Sequence, residues 1–165
     1  MKKLTIAAAL LLILTLSLAA CNSYRSDVAV NDLVTPVLEA VSTQGGFLAA
    51  DADYVSLEFE NPTTIDSNVS EWMICASSSP ITVDEFGIFR VKDGGDVDAV
   101  KAEVEKYVQA LQVKLEVFLE NYDPAEKPKL ENAQVFVYGN YVVFTMLTEA
   151  DTAAATGAIQ TALKK

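Results

Sequence analysis

Apolar residues recur at intervals of three and four along three segments of the chain, which predicts three amphipathic helices. The first covers residues 32–42, and a final alanine-rich helix with a capping motif covers about residues 148–163. The longest covers about residues 97–121, with Asp96 as the expected N-cap and Pro124 beyond its end. We expect its apolar stripe to pack on the protein's own sheet, because a coiled coil would need a longer repeat. The stripe consists of Val97, Val100, Val104, Tyr107, Val108, Leu111, Leu115, Phe118, Leu119 and Tyr122.

Apolar runs in the middle and near the end of the chain predict β-strands. Residues 71–76 and 85–92 form two such runs, and the second is apolar on both faces, which favours a strand inside the sheet. Residues 133–138 and 141–147 flank a Gly-Asn pair that suits a tight hairpin, because both residue types tolerate a positive φ. With the three helices, these four strands predict an α+β fold with a mainly antiparallel sheet.

The segment between the first helix and these strands is less periodic. Val55, Leu57 and Phe59 alternate with polar residues, which fits either a short strand or a single helical turn. Residues 61–68 are polar and contain a proline, so we expect a loop there. Since no second domain or internal repeat is visible, we expect residues 32–165 to form one domain.

The first 20 residues form a segment of a different kind. Two lysines precede an apolar run that is shorter than a membrane span and typical of a signal peptide. The Leu-Ala-Ala-Cys string that follows looks like a bacterial lipobox, so we expect cleavage between Ala20 and Cys21 and a diacylglyceryl group on the Cys21 thiol. An ordinary signal peptide followed by a chance cysteine is the alternative.

A lipid on Cys21 would decide where the protein lies. Each buried CH₂ contributes about 0.8 kcal/mol, so two acyl chains hold a protein at a membrane stably whereas one holds it weakly. We therefore expect a protein anchored by lipid at the extracytoplasmic face of the cell membrane, with residues 21–31 forming the lipidated cysteine and a polar tether. No further cofactor is expected.

Composition and charge change once the signal segment is set aside. The whole chain is 51% hydrophobic, with a formal charge of −11 and no histidine. Without residues 1–20, 10 basic residues face 23 acidic ones and the charge becomes −13. Such acidity argues against a nucleic-acid partner, and the lack of histidine removes the commonest general base. We therefore expect a non-enzymatic binding or interaction module with an unknown protein or small-molecule partner.

Paired acids are the main candidates for an enzymatic alternative, a carboxylate-dependent surface hydrolase. Asp84 and Glu85 are adjacent, and Asp51 and Asp53 are close in sequence. Acids in polar segments are usually solvated, so we expect both pairs on the surface.

The remaining polar and aromatic residues suggest little chemistry. The three aspartates around Asp96 have oxygens that suit calcium, but a loop and a helix cap explain them without a metal. Cys75 follows an apolar run and is expected to be a buried, inert thiol. Most aromatic residues are expected in the core, whereas Tyr138 and Tyr141, which flank the hairpin turn, are candidates for an exposed contact.

Four blocks of sequence, in order, carry a family resemblance. They are the run DEFGIFRVK at 84–92, the long helix, FLENYDP at 118–124 and GNYV at 139–142. With the lipobox before them, the chain resembles a group of small bacterial lipoproteins, mostly from Gram-positive anaerobes, defined by a domain of unknown function (family four-three-five-eight). The resemblance covers roughly residues 32–163 and implies a lipoprotein with one α+β domain. The family has no established activity, cofactor or catalytic residue, so the resemblance implies none here.

Overall fold

A computed structural model describes residues 24–43 and 45–165 of the chain. The predicted signal peptide, its cleavage point at Ala20 and the lipidation site Cys21 lie outside the described residues. Within the described part, the chain forms six helices and one antiparallel five-stranded sheet, which confirms the predicted α+β class. In chain order the elements are α1 (Val30–Ala40), β1 (Phe47–Ala49), α2 (Tyr54–Glu58), α3 (Pro62–Asn68), β2 (Val69–Ser77), β3 (Glu85–Val91), α4 (Val97–Tyr122), α5 (Lys127–Glu131), β4 (Gln134–Tyr138), β5 (Tyr141–Met146) and α6 (Glu149–Leu163).

The sheet has the strand order β1-β2-β3-β5-β4, and every neighbouring pair is antiparallel. β3 is therefore the central strand, as its two-sided apolar pattern predicts. Its register pairs Glu85 with Met146 and Arg90 with Tyr141 on β5. These pairs mark the two ends of the sheet, which we refer to as the Glu85 end and the Arg90 end.

The two faces of β3 belong to two hydrophobic cores. Phe86 and Ile88 pack with α1 and α6 on one face, and Phe89 and Val91 pack with α4 on the other. The long helix thus packs on the protein's own sheet, as predicted. Although α4 has 26 residues, none of the helices in the described chain has the apolar length that a membrane crossing requires.

Local signals at the element ends mostly act as predicted. The Asp96 side chain accepts a hydrogen bond from a first-turn backbone N–H of α4 at 2.9 Å. Thr148 caps α6 in the same way by accepting from Asp151 N at 3.1 Å. The β4–β5 hairpin turns at Gly139, where φ is +63°, whereas Asn140 keeps a negative φ. Only one of the two turn residues therefore uses the left-handed region.

Residues 47–68 differ most from the prediction. The sequence pattern missed the edge strand β1, which pairs with β2. The undecided segment at 54–58 is helix α2, and the predicted loop is helix α3. Pro62 lies in the first turn of α3, where its missing N–H would have no partner anyway, and one buried side chain, Ile65, attaches this polar helix to the core. The prediction also lacked the short helix α5.

The segment predicted to be a polar tether is packed against the domain in its described part. Tyr24 forms a β-bridge with Lys164, and Arg25 N donates to Leu163 O at 2.8 Å. Val28 is buried in the α1–α6 core, because this segment has apolar side chains that reach it. The Tyr24 ring also meets a ring of the β4–β5 hairpin edge-on at 5.5 Å. The described chain therefore begins at the Arg90 end of the sheet.

Gly87, in the middle of β3, leaves room for the Phe144 ring of the neighbouring strand. A Cβ at this position would come within 2.9 Å of Phe144 Cδ1, closer still to Cε1, and within 3.1 Å of Ile74 Cγ1. Since both neighbours are fully buried, Gly87→Ala should lower the free energy of unfolding by about 2 kcal/mol, measured by urea unfolding.

The matched control for this substitution is Gly157→Ala on α6. A Cβ at Gly157 meets nothing within 4 Å, and alanine is the better helix former, so we expect no loss and a gain of up to about 1 kcal/mol. Equal losses in the two variants would contradict the close approach of Phe144 to Gly87.

Candidate functional site

Three adjoining cavities open at the Glu85 end of the sheet, around the loop that joins β2 to β3. Their volumes are about 320, 210 and 120 Å³, and Thr82 of that loop lines all three. The largest is polar, and the smallest is bordered by Pro80, Ile81 and the end of α4. We refer to the three cavities together as the end cleft. Its principal residues are Thr43, Thr82, Asp84, Glu85, Phe118 and Lys129.

Lys129 lies between two carboxylates at the polar side of the end cleft. Its Nζ is 2.8 Å from Asp84 Oδ1 and 2.9 Å from Glu126 Oε2, and it donates to Thr82 Oγ1 at 3.0 Å. The hydroxyls of Thr43 and Thr82 both donate to Asp84 Oδ2. The Asp84 side chain is only 4% exposed and the Lys129 side chain 14%. This ion triad therefore fastens α5 to the β2–β3 loop in a largely buried position.

Hydrogen bonds within the triad favour the charged forms of Glu126 and Lys129. Burial alone would raise the pKa of Glu126, but hydrogen bonds from Thr82 and Lys129 and from Val83 N lower it below the ordinary value. Burial likewise opposes the charge of Lys129, yet its hydrogen bonds to Asp84 and Glu126 raise the pKa of its ammonium. Glu126 therefore lacks the raised pKa that a general acid needs at neutral pH.

Glu85 follows Asp84 as the first residue of β3, and its side chain lies beneath α4. Its Oε1 accepts a hydrogen bond from Tyr107 OH at 2.5 Å, and Tyr54 OH lies 2.8 Å from Tyr107 OH. Burial raises the pKa of Glu85 to about 7, although the hydrogen bond from Tyr107 opposes this shift. Burial also raises the pKa of Tyr54 to about 12 and that of Tyr107 above its ordinary value. At neutral pH the two phenols are protonated, and the Glu85 carboxyl titrates near this pH.

The outer side of the end cleft is apolar and exposed. Phe118 and Tyr122 stack with ring centroids 5.0 Å apart, and they are 50% and 77% exposed. Ile81 of the β2–β3 loop lines the same cavity and is 59% exposed. The predicted apolar stripe of α4 is wider than the buried face of the helix. Leu119 is buried in the α4 core, whereas its neighbour Phe118 lies about 100° around the helix and is half exposed.

The structure corrects two predictions about candidate site residues. Tyr138 and Tyr141 are 6% and 0% exposed, so the predicted exposed contact at the hairpin is wrong. The segment before α1 covers both residues, and Tyr141 OH donates to Val28 O at 2.8 Å. Asp84 and Glu85 were expected on the surface, but both are buried because α4 and α5 cover the start of β3.

Other predicted residues take simpler positions. Asp51 and Asp53 are exposed, as are the three aspartates around Asp96. In the described part of the chain, no group of three histidine, cysteine or acidic residues is placed to hold a metal ion. Cys75 is buried, as predicted, and burial together with the nearby Glu85 raises the pKa of its thiol to about 11.

Fold and site together define an α+β protein with a partly polar, partly aromatic cleft at one end of an antiparallel sheet. The family model for the domain of unknown function DUF4358 matches residues 63–147. Because the match covers just over half of the chain, the protein belongs to this family, as the resemblance of its sequence blocks predicted. The matched range contains β2 to β5, α4 and α5, whereas Thr43 of the end cleft precedes it. No curated protein and no solved structure matches the chain.

Proposed function

We propose that the protein is a lipid-anchored lipoprotein of the cell surface that binds a partner through its end cleft and is not an enzyme. The position of the cleft carries the proposal. The described chain begins with Tyr24 at the Arg90 end of the sheet, and the cleft opens at the Glu85 end. The seven residues of β3 separate the two ends by about 20 Å at about 3.3 Å per residue.

This arrangement would orient the protein on a membrane. A lipid on Cys21, shortly before Tyr24 in the sequence, would hold the Arg90 end towards the bilayer and present the end cleft outwards. The excess of acidic residues supports a domain that stands off the bilayer, because an acidic domain is repelled by anionic lipid headgroups. A binding module exposed in this way is accessible to partners outside the cell.

Substitution of Cys21 tests the anchor. In bacterial cells, wild-type protein should partition with membranes and carry the added mass of the lipid, whereas Cys21→Ala should be released or remain unprocessed. The matched control is Cys75→Ala, which removes the other cysteine and should leave partition and lipid mass unchanged. If Cys21→Ala keeps the mass and membrane partition of the wild type, the anchor proposal fails.

The enzymatic alternative, a carboxylate-dependent hydrolase, has one observation in its favour. Asp84 Oδ1 and Glu126 Oε2 both contact Lys129 Nζ, so their separation cannot exceed the sum of 2.8 and 2.9 Å. That limit allows the spacing of about 5–5.5 Å between the two carboxyl groups of retaining glycosidases. The Lys129 ammonium occupies the space between them, however, and it keeps Glu126 ionised. Glu126 is therefore unsuited to act as the general acid of the pair.

Photo-crosslinking on intact cells distinguishes the two functions. A photoreactive residue at exposed Tyr122 should capture a partner at the end cleft, and the same residue at exposed Leu48, on the edge strand β1, should not. Purified protein should show no turnover of cell-wall polysaccharide. Turnover that Asp84→Asn abolishes would instead establish the hydrolase and overturn the proposed function.

A further inference from the structure

We propose that the end cleft binds a small amphipathic cation, in which an ammonium or guanidinium group lies beside an apolar portion. This inference rests on the proposed binding function and specifies the chemistry of its ligand. The site is the cavity of about 210 Å³ between the β2–β3 loop and α4. Its wall contains Asp84 and Glu85 on the polar side and Leu115 and Phe118 on the apolar side.

The Glu85 carboxyl has an oxygen that is open to a ligand. Among the described residues, Tyr107 is the hydrogen-bond donor to Glu85, and it occupies Oε1. Oε2 receives no hydrogen bond from them, and unlike Asn140 Oδ1 it is not sealed from solvent. Glu85 is only 6% exposed, so Oε2 reaches solvent at the cavity that the residue lines. A nearly buried carboxyl oxygen without a donor is suited to accept an N–H group from a ligand.

The charges around this cavity favour a cation. Asp84 and Glu126 share the single ammonium of Lys129, which leaves one net negative charge, and Glu85 adds a second when it ionises. An anionic ligand would meet these carboxylates at close range, whereas an ammonium would stabilise the ionised form of Glu85. Binding near neutral pH should therefore release a proton. The titratable groups around Glu85 are Tyr54 and Glu58 on α2, Cys75 on β2, the adjacent Asp84, and Tyr107 and Lys114 on α4.

The apolar portion of such a ligand has a surface that continues from the same cavity. Phe118 lines both the Glu85 cavity and the neighbouring cavity with Ile81 and Tyr122. Aromatic faces attract cations within about 6 Å of the ring and also cover apolar chains. A ligand with its charged group at Glu85 and its apolar portion on Phe118 would use both sides of the cleft at once.

Calorimetric titration of the full chain in lipid nanodiscs tests the proposal, with empty nanodiscs as the blank. Hexylammonium should bind, whereas hexanol and hexanoate, which have the same chain without the cation, should bind at least about tenfold more weakly. Titration near pH 7 in two buffers of different ionisation enthalpy should show a released proton. A short Phe-Lys peptide with blocked termini forms the second arm: tighter binding of the peptide would indicate a protein partner, and tighter binding of hexylammonium a free amine.

Two variants localise the site. Glu85→Gln should weaken hexylammonium binding about tenfold at pH 8 and abolish the proton release, and Phe118→Ala, at a half-exposed position, should weaken it severalfold. The matched control is Glu103→Gln, because Glu103 is a buried glutamate outside the cleft that accepts hydrogen bonds from Asn61. It should leave the affinity unchanged.

Two results would overturn this inference even if hexylammonium binds. One is equal affinity for hexanol and hexylammonium, and the other is unchanged binding by both cleft variants. Crosslinking from Tyr122 in the absence of amine binding would refute the ligand class and leave the proposed binding function intact. Absence of both would refute the two proposals together.

Discussion

Lys129→Met should lower the free energy of unfolding by about 3 kcal/mol, measured by urea unfolding through the fluorescence of Trp72, the single tryptophan of the chain. Methionine keeps most of the apolar stem of the side chain but removes the ammonium. Asp84, whose side chain is 4% exposed, and Glu126 then lose their shared counter-ion and repel each other. The threonine hydroxyls that remain on Asp84 provide hydrogen bonds but no charge.

Two further variants separate this charge effect from general damage to α5. Lys127→Met, on the same helix, removes an ammonium whose partners Glu120 and Glu131 are exposed, so it should change the free energy of unfolding by less than about 1 kcal/mol. Asp84→Asn combined with Lys129→Met should recover part of the loss, because it removes the unpaired buried charge. Equal losses of unfolding free energy in the two lysine variants would show that the triad stabilises the fold no more than an exposed ion pair does.

The sequence predicts an element of the fold correctly where a local pattern of residues reflects a single structural environment, such as one buried face, a helix cap or a turn. The apolar residues of α4 recur at the helical period because one face of this helix packs on the sheet, and β3 is apolar on both faces because each face belongs to a core. Asp96 marks a helix start and Gly139 a turn through their own local chemistry. The hydrophobic pattern of the sequence fails to predict an element where a tertiary contact determines the local structure. Helix α3 is polar along most of its length, and its one buried side chain is Ile65.

The site was harder to predict because its residues come from separate segments. Lys129 lies in α5 and Glu126 immediately before it, and this short helix has no clear period. Thr43 follows α1. No spacing in the sequence therefore connects these residues with Asp84. The available signal was the adjacency of Asp84 and Glu85 at the first residues of a strand that is apolar on both faces. Acids at the start of such a strand are covered when helices extend past its end.

Tyr138 and Tyr141 were predicted to be exposed, but a segment that is distant in sequence buries them. Residues beside a hairpin turn are usually accessible, and nothing in β4 or β5 indicates that another segment covers them. The cover is the stretch before α1, which is distant in sequence and joins them through Tyr24 and Val28. The same contacts pack the described part of the predicted tether against the domain.

Glu85→Gln should make the stability of the protein less dependent on pH between about 4.5 and 7. Burial raises the folded-state pKa of Glu85 from 4.5 to about 7, so the folded protein binds this proton more tightly than the unfolded chain does. The resulting stabilisation is complete below about pH 4.5 and is lost as the pH rises through about 7. Above that pH the wild type contains a buried charge whose full cost is about 3 kcal/mol, whereas the neutral glutamine still accepts the hydrogen bond from Tyr107.

The measurement is the difference in free energy of unfolding between Glu85→Gln and wild type at several pH values, because the contributions of all other groups cancel in that difference. It should rise from near zero at pH 4.5 to about 3 kcal/mol in favour of the variant at pH 8. The charge-matched control is Glu39→Gln on the exposed side of α1, and curves of the same shape for both variants would contradict the burial of Glu85. Since the Tyr107 hydroxyl favours the ionised carboxylate, Tyr107→Phe should move the pH-dependent fall in stability to higher pH.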